Sequence, residues 1–277
     1  MIDAFRRLLG REGKLDDLNW ALRHYVGSFE APVVGALHVT CADESECECS
    51  DAFQRYFVNL LLPDLKFAEK APVRLSNLGG RYEWGALAVA EQHFATPPSR
   101  HAFKVLLVKI NAHVGVIGTG AAARYGQIQR YDAESTACGT LHALLAGEQK
   151  PYVNDLRHAF LSEHHDRLSP LLDPHQVDPK FRGLLAAITS ARLQARRVEQ
   201  EIQQYQPTSP TVYVVAAGVT LNHAGRPDTE LLVGVYVCDQ RGGPHAGTYA
   251  GLGDDPTRYV VGHDADRLRV TDDQLRS

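Results

Sequence analysis

The feature that most constrains this chain is a long apolar segment at residues 103–117, FKVLLVKINAHVGVI. Its run of β-branched and other apolar residues predicts the strongest strand in the sequence. Alternate side chains of a strand point to opposite faces, so Lys109, Asn111 and His113 share one face. Burying three polar side chains on one face costs free energy unless they meet partners. The segment therefore predicts a buried strand that carries polar groups into the interior.

Strands and helices alternate along the rest of the chain. PVVGALHVT, residues 32–40, is a short β-branched run of the kind found in buried strands, and VRLSNL, residues 73–78, predicts a second strand. Apolar residues at helical spacing predict helices over residues 15–26 and 180–204, the second being long and charged. Shorter helices are predicted after Ser50 or Asp51, over residues 81–94, after Ser135 or Thr136, and over residues 152–167.

The order of these elements predicts the fold class. TVYVVAAGVTLN and ELLVGVYVCD, residues 211–222 and 230–239, indicate a late strand pair. Strands that alternate with helices favour an α/β fold with a mainly parallel sheet flanked by helices, to which the late antiparallel hairpin adds at an edge. We divide the chain into an N-terminal helical arm, residues 1–30, and a single α/β domain, residues 31–277.

Charge and composition exclude several classes of protein. The 277 residues include 29 Lys and Arg against 33 Asp and Glu, a net charge of -4, so neither nucleic acid nor an anionic membrane is an expected partner. The N-terminal residues MIDAFRRLLGREGKLDD are interrupted by charges, unlike a signal peptide. No apolar run reaches the roughly 18 residues of a membrane helix. We expect a cytoplasmic protein that acts on a small molecule.

The five cysteines are better explained by chemistry than by disulfides, because an odd number fits a reduced compartment. Cys41 directly follows the first apolar strand, where open α/β sheets bind ligands, and Asp43 lies two positions further. Cys41, Cys47 and Cys49 could instead form a local zinc knuckle. The spacing C-x5-C-x-C is not a usual finger spacing, and the acidic residues around it favour a solvated loop.

A second cysteine of interest lies in STACGTLH, residues 135–142. Cys138 falls in the first turn of the helix predicted there, where backbone N–H groups and the helix dipole favour a thiolate. His142 follows one turn later, so the two residues form a candidate pair for zinc binding or for nucleophilic catalysis. A zinc site needs three or four ligands, and two residues do not complete one.

The strand ends offer a more complete set of ligands. Cys41, His113 and Cys138 come from three separate elements and would form a Cys2His group. Such a group leaves the fourth position of a tetrahedral zinc site open, as a catalytic site requires.

Several motifs in this order resemble the limiting-CO2-inducible B/C proteins, a β-carbonic-anhydrase-like family. Three short motifs carry the resemblance, namely CAD (41–43) after the first strand, HVGV (113–116) in the strongest strand, and STACG (135–139). SNLGGRYEWGALAVAEQHFATP (76–98) and VYVVAAGVTLNHAGRPD (212–228) extend it over roughly residues 32–238. Each motif alone is weak, and their order and separations together make the resemblance specific.

The resemblance implies a β-carbonic-anhydrase-like fold and zinc, Zn2+, held by Cys41, His113 and Cys138, with Asp43 beside the metal. It implies a carbonate dehydratase that interconverts CO2 and bicarbonate through a zinc-bound hydroxide, and it implies a homodimer. Bicarbonate also needs a donor, and Arg81 and Tyr82, which follow a pair of glycines, are our candidates.

One departure from the family pattern bears on activity. Many β-carbonic anhydrases pair the aspartate with an arginine two residues on, where this chain has Ser45. Asp43 would then either occupy the fourth zinc position or be held away by another basic residue, such as Arg55 or Arg81. The departure favours an alternative function, a catalytically silent zinc-binding relative that acts as a bicarbonate-binding or scaffold protein.

A third hypothesis comes from a different class of enzyme. Cys138, paired with His142 or His113, could be the nucleophile of a cysteine hydrolase. Zinc content separates this hypothesis from the first two.

Overall fold

The structure is a computed structural model, and it describes residues 2–29, 32–61, 71–94, 103–151, 153–154, 157–158, 178–243 and 247–251. The strands are β1 (Glu12–Lys14), β2 (Pro32–Cys41), β3 (Val73–Asn77), β4 (Phe103–Ile117), β5 (Arg124–Tyr125), β6 (Gln127–Arg130), β7 (Ala133–Thr136), β8 (Thr211–His223), β9 (Thr229–Asp239) and β10 (Thr248–Gly251). The helices are α1 (Ile2–Leu8), α2 (Leu15–Val26), α3 (Cys47–Leu61), α4 (Ala86–Gln92), α5 (Gly139–Leu145) and α6 (Arg182–Gln204). Short 3-10 turns cover Glu44–Glu46, Gly120–Ala122 and Pro179–Phe181.

The main sheet is built around β4 and has the order β1-β9-β8-β4-β2-β3. β4 pairs in parallel with β2 on one side and with β8 on the other, and β3 pairs in parallel with β2. β9 turns back antiparallel to β8. The predicted α/β fold, with a mainly parallel sheet and a late antiparallel hairpin, is confirmed. β1 and β10 also pair with β9, so they cover the side of the hairpin that was expected to be the edge.

Helices cover both faces of the sheet, which explains why 14 consecutive residues of β4 are buried. On one face Val108 and Ile110 belong to the same apolar cluster as Ile188 of α6. On the other face Leu107 shares a cluster with Phe53 of α3. Each such side chain contributes about 1.5–3 kcal/mol relative to an exposed one. The helix predicted over residues 180–204 therefore packs into the chain itself along most of its length.

The first residues of the chain are tied to this sheet. The predicted helix over residues 15–26 is present as α2, and the Asp17 carboxylate caps its start by accepting from Lys14 N at 2.7 Å. β1 lies just before it and pairs with β9, with Glu12 opposite Leu231. The division into an arm and a single domain stays a prediction.

The helix predicted over residues 152–167 lies largely outside the described residues. Within the described part of the chain, no helix is both long and apolar enough to cross a membrane.

The acidic segment after Cys41 is not the solvated loop that its composition suggests. It folds into a 3-10 turn and the start of α3, with Glu46 only 2% exposed and Cys49 fully buried. The Thr40 hydroxyl donates to Glu46 Oε2 at 2.9 Å, and burial raises the pKa of this carboxyl to about 7. The prediction of a solvated loop was wrong because burial of this segment depends on packing against strands that are distant in the sequence. The local density of charged residues does not reveal that packing.

The helix predicted to begin after Ser135 or Thr136 begins later, at Gly139, with Cys138 as its N-cap residue. Ser135 and Thr136 instead pair with β6 as part of β7, in a small hairpin outside the main sheet. Their pairing in a strand excludes the helical capping role. Cys138 nevertheless stays at the start of a helix.

The polar face of β4 is satisfied by a buried network. Lys109 Nζ lies 3.1 Å from Glu230 Oε2, and Asn111 Nδ2 donates to Glu230 Oε1 at 2.7 Å. His38 Nε2 lies 3.2 Å from Asn111 Oδ1. Burial lowers the pKa of His38 to about 3, so the ring is neutral and donates through Nε2. These bonds tie β2, β4 and β9 together inside the sheet.

Removal of one charge from this network should destabilise the fold. In Glu230→Ala the Lys109 ammonium, which is fully buried, loses its counter-charge, and we expect the free energy of unfolding to fall by about 3–5 kcal/mol. Urea denaturation followed by circular dichroism measures this change. The control is Glu134→Ala, which breaks an exposed ion pair with Arg124 and should cost less than about 1 kcal/mol. Equal losses in the two variants would contradict the role given to the buried pair.

Candidate metal centre

Three side chains from distant parts of the sequence meet at one end of the sheet. A sulfur of Cys41, a sulfur of Cys138 and a ring nitrogen of His113 all lie within 4.8 Å of one another. Their residues are 6%, 5% and 0% exposed, respectively. Among the described residues, this is the only group of three or more such side chains that could hold a metal ion.

Parallel pairing brings two of the three elements together. β2 and β4 run in the same direction, so Cys41, the last residue of β2, and the C-terminal half of β4 lie at the same end of the sheet. His113 belongs to that half, and β4 continues past it to Ile117. The β6–β7 hairpin then returns the chain to the same place and delivers Cys138 at the start of α5.

A glycine pair lets the turn after β3 approach this centre closely. Gly79 N donates to Cys41 Sγ at 3.3 Å. At Gly80, which has φ 63°, a Cβ atom would lie 3.0 Å from the Asn111 carbonyl oxygen and 3.2 Å from Cys41 N. Other residues would be strained there by both the backbone angle and the contacts. Close packing beside the sulfur of Cys41 therefore explains the two glycines of the SNLGG motif.

Hydrogen bonds fix the His113 ring in one orientation. Asn222 Nδ2 donates to the Ser45 carbonyl oxygen at 2.7 Å and to Asp228 Oδ2 at 2.9 Å, which assigns its Oδ1 as the acceptor that faces His113. That Oδ1 lies 2.9 Å from His113 Nδ1, so Nδ1 carries the proton. A ligating histidine commonly donates its second ring N–H in this way.

The other ring nitrogen is suited to a metal. His113 Nε2 is buried and makes no hydrogen bond with any described residue. A buried nitrogen without a partner costs free energy, and a metal ion would supply one. Two sulfurs and one imidazole nitrogen form a Cys2His set of the kind that binds zinc and leaves a fourth position for a small ligand. The residues present therefore fit a zinc ion.

The protonation of the three groups supports the same conclusion. The Cys138 thiol, which donates toward Cys41, lowers the pKa of Cys41 to about 4 against the effect of burial, and the same interaction raises the pKa of Cys138. Burial alone would lower the pKa of His113, but the adjacent Cys41 sulfur and the Glu46 carboxylate raise it to about 9. The Cys138 proton thus links the two sulfurs, and the negative charge on Cys41 favours a protonated His113 ring. A metal ion replaces such protons when it binds thiolate and neutral imidazole.

Asp43 lies beside this centre, as its position two residues after Cys41 requires. Its backbone N–H donates to Cys41, and its carboxylate charge acts on Cys138. Oδ1 accepts from Ser45 N at 3.0 Å and from Ser45 Oγ at 2.6 Å. The structure places Arg130 of β6 at 3.6 Å from the Asp43 carboxylate, where the sequence suggests Arg55 or Arg81 as the basic partner.

Sequence reasoning missed Arg130 because nothing local distinguishes it. It lies in a polar connection between the strongest strand and STACG, a segment without strand-like periodicity. Its partner Asp43 is 87 positions away, so only the folded chain shows the pair. Neither periodicity nor a motif marks this arginine in the sequence.

The remaining candidates are not among the three grouped donors. Arg81 forms an ion pair with Glu83, at 3.6 Å, and its role toward bicarbonate stays a prediction. His142 is exposed on α5 and is not one of the three grouped donors, so it does not form a local metal-binding pair with Cys138. Cys47 is exposed, whereas Cys49 is buried with its Sγ 3.8 Å from Lys109 Nζ. Neither cysteine is grouped with Cys41, so the three do not form a zinc knuckle.

A cleft connects the centre with solvent. Its volume is about 550 Å³, and both His113 and Cys138 line it. Apolar walls come from Val114, Leu141 and Leu145. Polar and charged groups also line it, namely Arg124, Gln127, His142, Asp178, Lys180 and Arg182. The cleft therefore lies along the side of the centre that carries His113 and Cys138.

The fold has solved relatives, although no protein-family model and no curated protein sequence matches the chain. The crystal structure of PtLCIB4, a homolog of the limiting CO2-inducible protein LCIB, superposes with a TM-score of 0.56 at 12% identity, covering 88% of this chain and 98% of that one. A serine-to-arginine variant of PtLCIB4 gives 0.56 at 14% identity, covering 89% and 98%. LCIB itself gives 0.54 at 15% identity, covering 87% and 95%. The predicted resemblance is confirmed at the level of the fold.

The hydrogen bond between His113 and Asn222 gives a test of the metal centre that does not depend on catalysis. Asn222→Ala removes the acceptor that holds Nδ1, and we expect zinc affinity to fall about 10–100-fold. Competition with a chromogenic chelator measures the affinity. Asn19→Ala is the control, because Asn19 is equally buried but lies on α2, and its zinc affinity should stay unchanged. Unchanged affinity in Asn222→Ala would contradict the assignment of His113 as an anchored ligand.

Proposed function

We propose that this protein is a zinc-dependent, carbonic-anhydrase-like enzyme, a carbonate dehydratase that interconverts CO2 and bicarbonate. Cys41, His113 and Cys138 are its proposed zinc ligands, and Asp43 is its proposed catalytic carboxylate. The observation that carries the proposal is the His113 ring: one of its nitrogens lies within 4.8 Å of both sulfurs, and its Nε2 is buried without a hydrogen bond to any described residue. Structural similarity to the limiting CO2-inducible proteins supports the choice of substrate.

Zinc, when bound, would supply a Lewis acid that lowers the pKa of a water molecule toward neutrality, to about 7 in carbonic anhydrase. The chain supplies the surroundings. Asn222 holds His113 in the tautomer that presents a lone pair to the metal. Gly79 N donates to Cys41 Sγ and so reduces the charge that this thiolate gives to the metal.

Asp43 is proposed to orient the attacking oxygen. The hydrogen bonds and the ion pair that its carboxylate makes with described residues fall on Oδ1, which leaves Oδ2 as an acceptor for a proton of that oxygen. A carboxylate held at this position fixes the direction of attack on CO2 and takes no part as a nucleophile. Apolar side chains of the cleft, Val114, Leu141 and Leu145, suit a substrate without charge.

Bicarbonate differs from CO2 in its negative charge, and the proposal includes donors for it. Arg81 is the donor that the sequence suggests, while Arg124 and Lys180 line the cleft that contains His113 and Cys138. A positive group near the anion lowers its free energy in the site. We further propose that the protein is a cytoplasmic homodimer, as the family resemblance implies.

Zinc content and activity together test this function. We expect one zinc per chain by inductively coupled plasma mass spectrometry and CO2 hydration above background in a stopped-flow assay with a pH indicator. A protein with one zinc but no hydration would instead be the silent bicarbonate-binding relative, which Ser45 favours. Purified protein that takes up no zinc would exclude both functions and leave the cysteine hydrolase.

Two substitutions separate the proposed ligand set from the local pair on α5. Cys138→Ser should lose zinc affinity at least about 100-fold, because a serine hydroxyl replaces a thiolate ligand. His142→Ala should keep its zinc, since His142 is exposed and is not one of the three grouped donors. Dialysis against a zinc buffer followed by metal analysis measures both. The reverse pattern would show that the local pair binds the metal.

A further inference from the structure

Asp43 can act on a metal at this centre in two opposite ways. A carboxylate free to move would coordinate the metal and close its fourth position. A carboxylate held back would leave that position open and accept a hydrogen bond from whatever occupies it. Which of these happens depends on what competes with the metal for the carboxylate charge.

Ser45 alone is a weak competitor. It is two residues from Asp43, and its N–H and hydroxyl both bond to Oδ1. Both donors are neutral, so they bind the carboxylate through hydrogen bonds but bring no positive charge to offset its attraction to a metal ion. Ser45 Oγ also lies 3.2 Å from His113 Nδ1, where it can only accept because Nδ1 carries the proton.

Arg130 supplies the charge that Ser45 lacks. Its Nη2 lies 3.6 Å from the same Oδ1, and its Nη1 contacts Glu44 Oε1. The guanidinium thus spans the carboxylates of two neighbouring residues. The side chains of Arg130 and Asp43 are 33% and 19% exposed, so water screens this pair less than a pair on the open surface.

The fold gives Arg130 a defined place. It is the last residue of β6, paired with Ala133 of β7 across a two-residue turn. Tyr131 in that turn has φ 52°, a left-handed conformation that non-glycine residues adopt only where the surroundings impose it. β7 leads within two residues to Cys138. One hairpin therefore positions a proposed ligand and the arginine that faces Asp43.

We infer that Arg130 is a positioning residue that holds the Asp43 carboxylate beside the metal and off its fourth position. This inference rests on the proposed function, since it requires a metal at the centre. The arginine that many β-carbonic anhydrases carry two residues after the aspartate is thereby replaced by one from a separate hairpin.

Cobalt-substituted protein tests the inference without an activity assay. Co2+ in a tetrahedral sulfur and nitrogen site absorbs visible light, and cyanide that enters an open fourth position changes the spectrum. Wild-type protein should bind cyanide. Arg130→Met should bind it about 10–100-fold more weakly, because the released Asp43 carboxylate competes for the metal. Arg130→Met/Asp43→Asn should regain most of the affinity, since a neutral amide competes poorly.

The double variant separates positioning from a structural role. If Arg130 only kept the hairpin folded, Asp43→Asn would not restore cyanide binding, and that result would overturn the inference. Unchanged cyanide affinity in Arg130→Met would overturn it as well. Arg241→Met is the control, because it breaks an exposed arginine–aspartate pair with Asp239 and should bind cyanide as wild type does.

Failure of the proposed function would look different. Wild-type protein that takes up neither zinc nor cobalt would remove the metal centre and the inference together. Wild-type protein that holds cobalt but takes no cyanide would keep the metal centre and overturn the role of Arg130, because the fourth position would then be closed with Arg130 in place; the CO2 hydration assay decides the proposed function separately.

Discussion

The burial of three ionisable donor atoms in one small space is the constraint on which the rest of the site depends. Two thiols and an imidazole within 4.8 Å of one another are costly to bury unless protons or a metal ion hold them together. The surrounding structure keeps them in place. The turn at Gly79 reaches Cys41, and Asn222 fixes the ring of His113.

The same strand that carries His113 also carries a buried ion pair, and the two features are connected. Lys109, Asn111 and His113 alternate along one face of β4, and each finds its partner on β8 or on β9, the strand beyond β8. Glu230 of β9 satisfies the first two. A strand held by charged and amide contacts on both sides has little freedom to shift its register, and register decides where His113 lies.

The contacts of Asp43 are where this chain departs most from the pattern that its motifs suggest. Ser45 occupies the position where an arginine would follow the aspartate, and Arg130 approaches the same oxygen from another element. The carboxylate therefore still has a basic partner. The absence of an arginine at position 45 is consequently a weak argument for a silent protein, and the metal-coordination state becomes the deciding property.

The sequence by itself determined the five strands β2, β3, β4, β8 and β9, the order of the three proposed ligands and the choice of the α/β fold class, because hydrophobic periodicity and short motifs are local properties. It did not determine which histidine meets Cys138, since His142 is nearer in sequence and only the parallel pairing of β2 and β4 brings His113 to the site. It also missed the burial of Glu46 and the contact between Arg130 and Asp43. Those depend on packing between residues far apart in the chain, which no local pattern encodes.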